Sequence, residues 1–274
     1  GKDLYENSAL AKELFEKAND ILGYRITDIM FNGTDEDLRQ TKVTQPAVFL
    51  HSVISALCMG DDFKPEMTAG HSLGEFSALV AAGALSFEDG LKLVYARAMA
   101  MQKACEAQPS TMAAIIALPD EKVEEICAQV SAEGEVCVAA NYNCPGQIVI
   151  SGSIEGINKA CELMKAAGAK RALPLKVGGA FHSPLMHSAA DGLREYLASV
   201  SLREERLPVY ANLTAEPYGE DKKETMAAQC ENPVRWQKTI ENMIANGVDT
   251  FIEVGVGKTL AGLIKKINPE VTVY

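Results

Sequence analysis

The chain has 274 residues and a mass of 29.5 kDa, long enough to bury a substantial core as one large domain or a large domain with a smaller insert. Hydrophobic residues make up 47% and charged residues 23%, with no low-complexity stretch and no fixed-period repeat, which excludes a disordered or solenoid chain. A formal net charge of −11 argues against nucleic acid or an anionic membrane as the main partner, because both need a basic footprint.

The first predicted element is an amphipathic helix from Ser8 to Leu22, where Leu10, Leu14, Ala18 and Ile21 recur at helical spacing and Gly23 stops it. A largely apolar helix follows over Gln45–Gly60, with Pro46 in its first turn. A short strand at Met67–Ala69 then runs into a sharp turn, Gly70 to Gly74, and a helix through about Ala82. Ser86 and Asp89 suit a capping box for a further helix ending near Cys105.

The texture changes at Pro109. Strands are expected at Met112–Leu118, Val136–Tyr142, Gln147–Ser151 and Lys170–Val177, with helices at Asp120–Ala132 and Ile154–Ala167. That βαββαβ order is the split-βαβ, ferredoxin-like pattern, so 109–178 is expected to be a small inserted subdomain. The flanking segments, 1–108 and 179–274, form the large α/β domain. Its later elements are a helix from Pro184 to about Val200, a strand at Val209–Leu213, a helix at Val234–Ala245, a strand at Thr250–Val254 and a helix at Lys258–Ile267. Helices alternating with short apolar strands imply a parallel sheet covered on both faces.

The seven cysteines form no CxxC pair, and read as small buried hydrophobes of a reducing compartment. No apolar stretch reaches membrane-spanning length and the N-terminal segment does not resemble a signal peptide, so the expected location is cytoplasmic. Lys165, Lys170, Arg171 and Lys176 are either a patch for an acidic partner or an ordinary solvated face. Gly255-Val256-Gly257-Lys258-Thr259 is not a P-loop, since Ile252 stands where its first glycine would be. No metal-ligand spacing is present, and no cofactor is expected.

Gly70-His71-Ser72-Leu73-Gly74 is a GxSxG elbow between a predicted strand and helix, which presents Ser72 as a nucleophile and the Leu73 N–H as an oxyanion donor. Of the four histidines, His51 lies within an apolar helix, and His71 adjoins the nucleophile but diverges from it at the turn, fitting the substrate site better than the base role. His182, in the small-residue loop Gly178 to Pro184, is the preferred base, and His187 the second choice. No acid between Ser72 and His182 suits a triad. Arg97 sits among the uncharged helical neighbours Leu93, Val94, Ala100 and Met101, and is either a structural ion-pair residue or an anchor for a ligand carboxylate.

GHSLGEFSAL from Gly70, GAFHSPLM from Gly179 and NPVRW from Asn232, together with the inserted lobe, resemble the malonyl-CoA:acyl carrier protein transacylases and the polyketide acyltransferase domains. The resemblance extends from about Gly1 to the C-terminus. It implies an α/β-hydrolase-like large domain with a ferredoxin-like insert, and ping-pong transfer from malonyl-CoA to the phosphopantetheine thiol of acyl carrier protein through a malonyl ester of Ser72. It makes His182 the base, places a backbone carbonyl at Gln229 in the role of the missing acid, and turns Arg97 into the anchor of the malonyl carboxylate. Gln45 matches a glutamine near the acyl pocket, and Phe181 fits the malonyl rather than the branched methylmalonyl type. The family pattern opens with a strand and a Gln-Gly loop that supplies a second oxyanion donor, whereas this sequence starts at the segment after it and also ends early. Losing one such donor costs roughly 100- to 1,000-fold in rate, so an incomplete sequence is expected rather than a catalyst without the loop. A serine esterase or thioesterase, with water as acceptor, is the alternative activity, and a silent binding subunit the third. A histidine base also predicts a pH dependence near the ordinary histidine range.

Overall fold

The computed structural model describes residues 1–274, an α/β chain. Its N-terminal part is helical: α1 (Lys2–Asn7), α2 (Ala9–Leu22), α3 (Ile26–Asn32), α4 (Asp35–Arg39), α5 (Thr41–Cys58), α6 (Gly74–Ala81) and α7 (Phe87–Ala107). Helix α2 has the expected limits. The Ser8 hydroxyl accepts the Ala11 N–H at 3.2 Å, and Gly23 closes the helix with φ 77°, a conformation that costs a residue without Cβ little. Helix α5 begins four residues before the predicted Gln45, which puts Pro46 in its second turn. Thr44 makes this entrance possible by returning its hydroxyl to the carbonyls of Leu38 and Gln40. Short helices α1, α3 and α4 escaped the sequence reading because none carries an apolar face long enough to show a period. Helix α4, Asp-Glu-Asp-Leu-Arg, rests instead on a Thr34–Asp37 capping box.

The segment 110–174 carries β1 (Ser110–Ile116), α8 (Asp120–Ala132), β2 (Cys137–Cys144), β3 (Gln147–Ser153), α9 (Ile154–Ala166) and β4 (Arg171–Pro174), the predicted order with small shifts of boundary. The strands form an antiparallel sheet in the order β2-β3-β1-β4, with Ala113 opposite Ile150 and Ala114 opposite Leu173. Helices α8 and α9 cover one face, burying Val123, Ile126, Val130, Ile157, Ala160 and Met164 against Ile115, Ile148 and Ile150. Gly152 in β3 is demanded by a close approach, since a Cβ there would run into the Val136 backbone.

The remainder holds α10 (His187–Leu197), α11 (Lys222–Ala228), α12 (Trp236–Ala245), β5 (Thr250–Phe251), α13 (Thr259–Ile267) and β6 (Thr272–Val273). The expected helix from Pro184 is a short 3₁₀ turn, Pro184–Met186, followed by α10, which stops at Leu197 rather than Val200. The expected parallel sheet is reduced to brief pairings. Thr68 bridges Val209, and β5 pairs with β6, a strand missed in the sequence. The 209–213 strand stays short because the chain turns back on itself: the Ala215 N–H bonds the Ala211 carbonyl, the Ala211 N–H bonds the Glu216 carbonyl and the Tyr218 N–H bonds the Val209 carbonyl, which brings Pro217 opposite Tyr210. Helices α5, α6, α7 and α10 enclose the largest core, with Phe49, Leu50, Ile54, Phe76, Leu79, Leu93 and Leu193 buried in it. The antiparallel sheet is tied back to this part through Tyr142 N–H to Val234 O at 3.0 Å and Val234 N–H to Ala140 O at 2.8 Å.

Candidate active site

Ser72 stands at the predicted turn with φ 52°, a left-handed conformation that costs a non-glycine residue on the order of 1–3 kcal/mol. Gly70 allows it, because a Cβ there would collide with the backbone of Gly74 and Glu75. A Cβ on Gly74 itself would meet nothing, so the two glycines of the motif are not equivalent: the first is needed by the turn, and the second leaves open space. The Leu73 N–H, ahead of α6, has no acceptor within the protein.

His182 comes to this turn from the predicted loop, itself at φ 59°, with its N–H bonded to the Cys230 carbonyl at 2.9 Å. Its Nε2 lies 2.8 Å from Ser72 Oγ and its Nδ1 lies 2.9 Å from the backbone carbonyl of Gln229. A carbonyl only accepts, so Nδ1 carries the proton, Nε2 keeps its lone pair, and the Ser72 hydroxyl donates to it. The partner of Nδ1 is thus a main-chain oxygen and not a carboxylate.

Arg97, on α7, is 1% exposed and reaches the same spot. Its Nη1 donates to Gln45 Oε1 at 2.6 Å, while Nη2 donates to Gln229 Oε1 at 2.9 Å and to Ser72 Oγ at 3.3 Å. The guanidinium lies over the Phe76 ring, 5.2 Å from its centroid. No carboxylate forms an ion pair with it, and its Nε–H has no acceptor. Gln45 is buried at the α5 entrance, with its amide nitrogen toward Met101 Sδ. Phe181, half-buried, packs between the large core and the open face of the antiparallel sheet. His71 turns away from Ser72, as expected, to meet Asn143 Oδ1 at 2.8 Å and the edge of the Trp236 ring. His187 is not a reserve base: it is exposed and pairs with Asp191 and Glu231. His51 is on α5 with no part in the cluster.

Residues 1–267 match the family model described as the acyl transferase domain. The chain belongs to the acyl transferase family. It is 44% identical over 271 residues to the malonyl CoA-acyl carrier protein transacylase of Bacillus subtilis, covering 98% of this chain and 86% of that protein. It superposes with a TM-score of 0.95, at 40% identity, on the crystal structure of an acyl-carrier-protein S-malonyltransferase from Burkholderia pseudomallei, covering 99% of this chain and 89% of that one. The same TM-score, at 36% identity and the same coverage, relates it to a malonyl-transacylase in complex with a type II polyketide acyl-carrier protein.

Electrostatics in this acyltransferase are set by burial. Desolvation, then the nearby Arg97 charge, pushes the His182 imidazole down to about 3, well below the histidine range in which a pH dependence was expected. Desolvation also lowers His71 and Arg97 and raises the thiol of Cys230. Glu75, on α6 and fully buried, is pushed up to about 7. Its carboxyl accepts the Asn212 N–H at 2.6 Å and the Tyr218 hydroxyl. Asn212, Glu75, Tyr218 and Asn143 were missed in the sequence. Glu75 alone left a signal there, an acid inside the apolar run Gly74–Ala81. No helix is long and apolar enough to cross a membrane, and no group of three or more His, Cys, Asp or Glu side chains is placed to hold a metal.

Proposed function

We propose that this acyltransferase moves malonyl from malonyl-CoA to the phosphopantetheine thiol of acyl carrier protein, with Ser72 as nucleophile, His182 as base and Arg97 as the anchor of the acyl carboxylate. One observation carries the choice of acyl group: a buried guanidinium without a carboxylate partner stands 3.3 Å from the nucleophile. A charge so placed is costly unless something completes it, and malonyl brings a carboxylate where acetyl has none.

Ser72 gives its proton to His182 Nε2 as Oγ attacks the thioester carbonyl, and the oxyanion accepts the Leu73 N–H. The C–S bond breaks, and the departing CoA sulfur takes the proton from His182. In the second half the carrier thiol gives its proton to His182 and attacks the malonyl ester, and Ser72 recovers its hydroxyl. The Gln229 carbonyl stabilises the imidazolium in both halves. Every step uses side-chain and main-chain groups already named, so the reading calls for no metal or organic cofactor. Gln45 holds the arginine, Phe181 limits the room at the acyl α-carbon, and His71 lines the approach.

The same reading takes 1–108 and 179–274 as an α/β-hydrolase-like large domain and 109–178 as a ferredoxin-like insert. The β2-β3-β1-β4 order and the separate core beneath that sheet support it. The free state of all seven cysteines accords with work in the cytoplasm. Incubation with malonyl-CoA, followed by peptide mass spectrometry, tests the site: a malonyl adduct on Ser72 that vanishes in Ser72→Ala is expected, and an adduct retained in that variant would remove Ser72 from the mechanism.

A further inference from the structure

The elbow is not held by its glycines alone. Asn212, wholly buried just after the Thr68–Val209 bridge, puts its side-chain amide across the turn. Its Oδ1 accepts the Ser72 N–H at 2.7 Å and its Nδ2 donates to the Gly70 carbonyl at 2.8 Å. One primary amide thus satisfies the two main-chain groups that the sharp turn takes away from any regular ladder. Oδ1 also receives the Gln229 Nε2–H at 3.3 Å, and that same Nε2 donates to the Ser72 carbonyl at 2.7 Å. Asn212 is itself fixed: its N–H goes to Glu75 Oε1, the Tyr218 hydroxyl donates to Glu75 Oε2, and its carbonyl accepts the Arg235 N–H at 3.0 Å.

We propose that Asn212 is a positioning residue for acyl transfer: its amide clamps Gly70 and Ser72 so that Oγ stays on His182 Nε2, and the buried Glu75–Tyr218 pair holds Asn212 in that pose. The proposal rests on Ser72 being the nucleophile. Asn212 touches neither Arg97 nor the hydroxyl, so its effect is on the reacting geometry and not on recognition of the acyl carboxylate. A left-handed serine survives only where its surroundings over-determine it, and the amide is the group that does so here. Glu75 serves because it offers two acceptor oxygens in one buried place, one for a main-chain N–H and one for a phenol.

The test is rapid-quench acylation of Ser72 by malonyl-CoA and by acetyl-CoA, with steady-state kcat and KM, in Asn212→Ala, Glu75→Ala and Glu75→Gln at a temperature where each variant is folded by circular dichroism. Asn212→Ala should lose about 10- to 100-fold in acylation rate, the range set by releasing one strained residue. The loss should be equal for both thioesters, with KM for malonyl-CoA changed less than about threefold. Glu75→Ala should lose about tenfold, and Glu75→Gln, which keeps an oxygen for the Asn212 N–H, should recover most of that. If Asn212→Ala does not fold, Asn212→Ser removes the span across the turn with less apolar exposure and is read the same way. Acylation at the wild-type rate in the Asn212 variants would overturn the proposal. So would a loss expressed in KM or confined to malonyl, which would place Asn212 in recognition. A wild-type protein that takes no acyl group on Ser72 would instead overturn the underlying reading of the nucleophile.

Discussion

Replacing Arg97 by alanine separates recognition from chemistry. In the free protein the guanidinium is 1% exposed, and its hydrogen bonds run to two neutral amides and a hydroxyl, so little solvent screens any anion that joins it. A malonyl carboxylate facing that fork gains a charge-assisted contact in a desolvated site, and stranding it there costs on the order of 3–5 kcal/mol. Acetyl loses no such contact. The ratio of kcat/KM for malonyl-CoA over acetyl-CoA is therefore expected to fall by about two to three powers of ten in Arg97→Ala, with Arg97→Lys intermediate because a point charge lacks the planar fork. A second readout shares the cause. Arg97 contributes to the depression of His182, so its removal should move the acid limb of the acylation profile upward, toward the ordinary histidine value. The assay is kcat/KM for both thioesters over pH in wild type and both variants. An equal fall for the two thioesters would refute the anchor and leave Arg97 a brace for Gln45 and Gln229.

His182→Ala should lower acylation by about 100- to 10,000-fold, while wild type should show no acid limb in kcat/KM near 6.5, because the free imidazole is held at about 3. A limb centred on the ordinary histidine value would contradict that electrostatic picture. Stability carries the same signature: the unfolded chain binds the His182 proton first, so stability is lost as pH falls from about 6.5 toward 3, by up to about 5 kcal/mol. Urea melts of wild type and His182→Gln at pH 7 and pH 4 check it, the variant being expected to lose less. Glu75 has the opposite sign. Its folded value near 7 exceeds the unfolded one, so its contribution is present below about 4.5 and lost as pH rises through 7, by up to about 3 kcal/mol, and Glu75→Gln should flatten that window.

The parts of the site legible in the sequence were those whose chemistry is local. Ser72 and the Leu73 N–H follow from a five-residue turn, and His182 follows from a small-residue loop in a chain poor in histidines. The role of the Gln229 carbonyl came only through family resemblance, since any residue type can offer a main-chain oxygen. Asn212 and Tyr218 left no trace because they meet the elbow from 140 and more residues away and lie in no periodic element. The fold divides in the same way. Helices α2, α6 and α8 carry caps or apolar stripes and emerged nearly at their observed limits. The parallel pairing did not, because the run after Val209 ends in a main-chain turn at Ala211–Ala215 that folds Pro217 back opposite Tyr210, and no side-chain period marks that turn. Helix α5 began early for a related reason: Thr44 returns bonds to Leu38 and Gln40, a contact that propensity alone does not foretell.

The measurement that bears most directly on the account is the fate of the isolated malonyl-Ser72 enzyme. Freed of malonyl-CoA and divided between buffer and the phosphopantetheine form of acyl carrier protein, it should persist in buffer and discharge within the dead time of manual mixing to the carrier, which gains the malonyl group as a thioester. Discharge to water as fast as to the carrier thiol would contradict transfer and make the protein a hydrolase built on the same elbow.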